Sequence, residues 1–146
     1  MILPQFLVPL GWLAVVGPIL PFAILTMVAV NAVTRLLAHR QHVRQAREGD
    51  AVERHTLHDV TTVGLVLLCF LFAVHRPVGG ALLSTVAVTV FLADLFEFEA
   101  RNVEARNDLS IERPKGAMAA SAILLLFAAY YGLFFVIDPI ADALIA

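Results

Sequence analysis

Four apolar blocks, each close to 18 residues or longer and almost free of charge, are separated by two charged stretches. A soluble domain cannot hide that much apolar surface in one core. A helix of this length crosses roughly 30 Å of hydrocarbon at about 1.5 Å per residue. Composition agrees, with 15% charged residues and a mean hydropathy of +0.86, where soluble domains carry about 25% charge. Lipid leaves backbone polar groups no outside partner, so spans must satisfy them internally. The expectation is an all-α integral membrane four-helix bundle forming one domain over residues 1–146.

Spans are expected at about 18–37, 57–74, 81–98 and 117–137. Residues 1–16 are apolar but broken by Pro4, Pro9 and Gly11, and they carry Trp12 where an interfacial anchor would sit. They lack the basic start and small-residue cleavage site of a secretory signal and read as an interfacial segment. Pro18 and Pro21 suit a first helical turn. Thr56 with Asp59 reads as a capping pair for the second span. Pro77, Gly79 and Gly80 mark a reversal, and Pro114 and Asp138-Pro139 bracket the fourth span.

Orientation follows from the basic residues. Arg35, Arg40, Arg44, Arg47 and Arg54 flank the first connection, and Arg101, Arg106, Arg113 and Lys115 the third; only Arg76 lies opposite. The positive-inside rule puts both long connections in the cytoplasm and both termini outside, in a multi-pass plasma-membrane protein.

Those connections continue the helices. Arg40, Arg44 and Arg47 recur at helical spacing up to Gly49, and Asp94, Glu97, Arg101 and Glu104 recur beyond the third span. Residues 35–48 carry four Arg against one Glu, and residues 94–108 carry five acids against two Arg. Opposite charge on one side of the membrane predicts that the first and third helices pack together. Arg35, Arg40, Arg44, Asp94, Glu97, Arg101 and Glu104 would then form a cytoplasmic ion-pair network, with Arg35 the natural partner of Asp94.

For chemistry there are two HxxH pairs, His39/His42 and His55/His58. Histidines three apart share a helix face and can bind one metal. They loosely resemble the histidine boxes of membrane desaturases and hydroxylases, which need a larger ligand set than the five histidines present here. A membrane-embedded acid is a functional candidate by default, which makes Asp94 the residue of a proton-linked transporter. The first span offers only Asn31 and Thr34 near its end, and the remaining polar groups of the spans, Thr61, Thr62, Ser84, Thr85, Thr89 and Ser121, read as backbone or cross-helix hydrogen-bonders. Small pairs four apart on the last helix, Ala117/Ser121 and Ala128/Gly132 among them, permit close packing within the bundle or between protomers. The single cysteine, Cys69, rules out an intramolecular disulfide, and a net charge of −2 gives no nucleic-acid signal.

The stretch Asp94-Leu95-Phe96-Glu97-Phe98-Glu99-Ala100-Arg101-Asn102-Val103-Glu104-Ala105-Arg106, with Glu112-Arg113-Pro114-Lys115-Gly116-Ala117 and Arg40-Gln41-His42-Val43-Arg44-Gln45-Ala46, resembles a family of small four-span membrane proteins of haloarchaea. That family has no assigned activity, so the resemblance implies an archaeal membrane and no catalytic residues. With no mid-membrane acid, nucleotide loop or full ligand set, the expected role is a non-enzymatic structural or accessory component. It would work without cofactor, in a homo-oligomer or as a subunit of a membrane complex. The alternatives are a metal enzyme using the HxxH pairs and a transporter using Asp94.

Overall fold

The computed structural model describes residues 10–146, so Pro4, Pro9 and the rest of residues 1–9 of the expected interfacial segment lie outside the described residues. Helix α1 (Leu10–Val16) passes through a 3-10 turn, Gly17–Ile19, into α2 (Leu20–Arg47). Pro18 and Pro21 both fall in first-turn positions, where a missing N–H forfeits no bond. Helical backbone therefore begins upstream of residue 18. Three more helices follow: α3 (Thr56–His75), α4 (Pro77–Arg106) and α5 (Lys115–Ile145).

Each long helix packs on the next, and α2 closes the ring against α5. Short connections make consecutive helices antiparallel neighbours, so α2 and α4 stand on a diagonal. This corrects the expectation that the first and third helices pack together; they are bridged instead by long side chains reaching across the centre. The apolar core holds Ile24, Val28, Leu65, Phe72, Leu83, Val90 and Leu124, each at most 3% exposed. Only 28–33% of the residues in each apolar span are buried. The others, Leu67, Phe70, Leu126 and Ile137 among them, cover the outside. All four helices are long and apolar enough to cross a membrane.

Helix ends explain themselves locally. At the end of α2, Asp50 N–H donates to Gln45 O (2.9 Å) and Gly49 N–H to Ala46 O (3.3 Å). Gly49 sits at φ +75°, so this is the paired termination that favours glycine. Helix α4 ends the same way, with Leu109 N–H on Glu104 O and Asp108 N–H on Ala105 O; Asp108, at φ 55°, takes the glycine's place. Between α3 and α4 the chain reverses through Arg76 alone. That reversal presses Gly80 against the Ala73 backbone, leaving no room for a Cβ.

Two sequence expectations shift. The cap of α3 is His55, whose Nδ1 accepts from His58 N–H at 3.2 Å; Thr56 is already helical. Helix α5 continues through Asp138-Pro139 to Ile145, because an interior proline removes one backbone bond without forcing a stop. The small residues Ala117, Ser121, Ala128 and Gly132 are all buried, and they face the other helices of this bundle.

Candidate functional site

The inside of the bundle turns polar one to two turns in from the starts of α3 and α5. Asn31, Thr34 and Arg35 of α2, His58, Thr61 and Thr62 of α3, and Ser121 of α5 are all buried. They meet Asp94 of α4, whose side chain is 15% exposed. An apolar exterior around a polar centre is the arrangement lipid favours, since buried polar groups find partners only in each other.

Arg35 is the hub. Its Nε donates to Asp94 Oδ1 and its Nη2 to Asp94 Oδ2, both at 3.2 Å. Nη2 also donates to Asn31 Oδ1 at 2.8 Å, and Nη1 to Ser121 Oγ at 2.9 Å. One guanidinium thus ties α2 to α4 and α5 with a two-point carboxylate contact, which fixes direction as well as distance. The Asn31 amide extends the network to α3, donating to Thr61 Oγ1 (3.0 Å) and Thr62 Oγ1 (2.8 Å). Both threonine hydroxyls also reach the His58 carbonyl, at 2.9 Å.

His58 completes the ring of contacts. Its Nε2 lies 3.2 Å from Asp94 Oδ2, and a carboxylate only accepts, so Nε2 carries a proton. Its Nδ1 lies 3.0 Å from Thr34 Oγ1. The Thr34 hydroxyl has a second acceptor in Asn31 O at 2.9 Å. Rotation of that hydroxyl lets Nδ1 either accept its proton or, when Nδ1 is itself protonated, donate to its oxygen while the proton goes to Asn31 O.

A second layer lies further along the extensions. Arg101 of α4 donates from Nη1 to His42 Nδ1 at 3.1 Å, and His42 Nε2 meets Glu53 O at 2.8 Å. An arginine only donates, so the His42 proton is on Nε2 and goes to Glu53 O. Burial first, then the Arg101 charge, lower His42 from the usual 6.5 to about 4. His42 also packs edge-on against Phe98, over which Arg54 is stacked at 4.4 Å.

The expected network residues divide. Arg35 and Asp94 pair as expected. Arg101 goes to His42. Glu97 Oε1 instead accepts Ala117 N–H at 3.0 Å, capping the first turn of α5 where a negative charge is favoured. Glu104 Oε2 accepts Glu112 N–H at 3.3 Å. Arg40 and Arg44 are exposed, and among the described residues neither enters an ion pair.

The histidines divide as well. His55 caps α3, His58 enters the polar centre and His42 is held by Arg101 and Glu53, while His39 Nδ1 is buried without a hydrogen-bond partner among the described residues. No group of three or more His, Cys, Asp or Glu side chains is placed to hold a metal among the described residues. Thr61, Thr62 and Ser121, read only as generic hydrogen-bonders, are the partners sequence reasoning missed. Their signal was the inward helical spacing of His58, Thr61, Thr62, Leu65 and Cys69.

By architecture the chain is a four-helix bundle with an apolar exterior and a buried charge cluster. It belongs to the family described as a domain of unknown function (DUF7313), whose model matches residues 3–145. No curated protein and no solved structure matches it.

Proposed function

We propose that the chain is a four-span integral protein of the plasma membrane, with both termini outside and the helical extensions in the cytoplasm. It acts as a non-enzymatic structural or accessory component of a membrane complex. The observation that carries this reading is the cross-helix network at the bundle centre, where Asn31, Arg35, Thr61, Thr62 and Asp94 bond chiefly to one another. Arg35 makes four hydrogen bonds to three residues of three helices, a tie that fixes how the helices sit. Arg40, Arg44 and Arg47 stand exposed on the α2 extension and give a partner charges to read. Extraction in mild detergent, with native mass measured and every co-purifying chain identified, tests it. A second polypeptide in fixed ratio is expected; a pure homo-oligomer or monomer overturns the accessory role.

One contact favours a second reading, proton-linked transport. His58 sits between the Asp94 carboxylate and a rotatable Thr34 hydroxyl, a geometry suited to taking up and releasing a proton. In vesicles, proton-coupled flux that vanishes in Asp94→Asn would support it, and absence of flux would remove it.

A further inference from the structure

A groove of about 310 Å³ opens sideways between α2 and α5. Its rim is formed by Leu36, Met118 and Leu125, which are 54%, 48% and 39% exposed on the apolar exterior. Ala32 and Ala122, small and exposed, leave the space open. Two polar residues line it, Arg35 and Ser121, only 3% and 6% exposed. A guanidinium has five N–H donors, and among the described residues Arg35 uses four; the spare one is on Nη1. Ser121 accepts from that same nitrogen, and its own hydroxyl proton has no acceptor among the described residues. An apolar slot thus carries two unspent donors beside a buried cation.

We propose that the α2–α5 groove holds one acyl chain of a bilayer phospholipid, whose glycerol-level ester oxygen accepts hydrogen bonds from Arg35 and Ser121. Access selects the occupant, because a groove that opens through the apolar exterior meets lipid first. Size agrees, since about 300 Å³ is the lower end of ligand pockets and admits one chain segment. Depth agrees too. With the fourth span starting at residue 117, Ser121 lies four residues inside it, about 6 Å along the helix axis, and the groove it lines reaches outward to Pro114, at the level where esters would lie. The complementarity is also one-sided, because the donors offered have no acceptor in the slot and an ester oxygen only accepts.

The inference rests on the membrane reading, and the experiment separates the two. The full chain is reconstituted in vesicles of phosphatidylethanolamine and phosphatidylglycerol, washed with alkaline carbonate, and released for native mass spectrometry. Ala32→Phe and Ala122→Phe fill the groove from exposed positions. Leu67→Phe, 60% exposed on α3, which does not line the groove, is the control. One intact phospholipid per chain is expected on the wild type and on Leu67→Phe, with about tenfold lower occupancy in both filling variants. A chain stripped by carbonate overturns the membrane reading and this inference together. A chain that stays embedded but carries no phospholipid, only a free fatty acid, or equal occupancy in all variants overturns this inference alone. A dimer that covers the groove without lipid does so as well.

Discussion

At the scale of single residues, the buried charges dominate. Removing Asp94 leaves Arg35, 3% exposed, as an uncompensated cation, and breaking a buried pair from one side costs about 3–5 kcal/mol. Asp94→Ala is therefore expected to lower the thermal midpoint in detergent sharply, and Asp94→Ala with Arg35→Met to recover part of the loss. A double variant no better than the single would sink the pairing as the source of stability. His42 gives a pH dependence of known sign. Its pKa is lowered from 6.5 to about 4 in the folded protein, so below about pH 6.5 the unfolded chain binds the proton first. Stability from this residue is complete above pH 6.5 and is lost as pH falls toward 4, by roughly 3 kcal/mol at most. His42→Gln should flatten that part of a pH–stability profile, and an unchanged slope would count against a buried, neutral His42 in the folded protein.

At the scale of elements, the α3–α4 reversal is the tightest point. A Cβ at Gly80 meets the Ala73 backbone, which cannot turn aside as a side chain could. Gly80→Ala is expected to destabilise the bundle by about 1–3 kcal/mol or more, as overpacking does. Gly64 is the internal control, since a Cβ there meets only Met27 Cε at 3.7 Å. Gly64→Ala should be neutral or stabilising by about 1 kcal/mol through helix propensity. Equal effects of the two substitutions on the thermal midpoint would show that helix propensity, not the close approach, governs both.

At the scale of the whole molecule, orientation is the property to measure. Residues 48–55 join α2 to α3 on one side, and Arg76 joins α3 to α4 on the other. Cys69 is fully buried, so the wild type is silent to a bulky membrane-impermeant maleimide. In intact cells Arg76→Cys should label and Asp50→Cys should not until the membrane is opened. The reverse pattern would turn the topology over and put the basic α2 extension outside.

Much of this was legible in the sequence. Hydropathy marked four helices, because most residues of each face either the apolar exterior or the packed apolar interior, and only the few that meet in the polar centre depart from that rule. Helical spacing of charges marked the extensions to Arg47 and Arg106, and the matched positions of Arg35 and Asp94 at the ends of their spans marked that pair. What stayed hidden is the choice of partners. A helical period tells which residues share one face of their own helix, but not where that face points among its neighbours. Ser121 reaches Arg35 across 86 residues of sequence, and Arg101 reaches His42 across 59. The ring order of the helices, set by packing, placed α2 and α4 on a diagonal. Their charges therefore meet at the bundle centre rather than along a shared face, and Glu97 was left to cap the last helix.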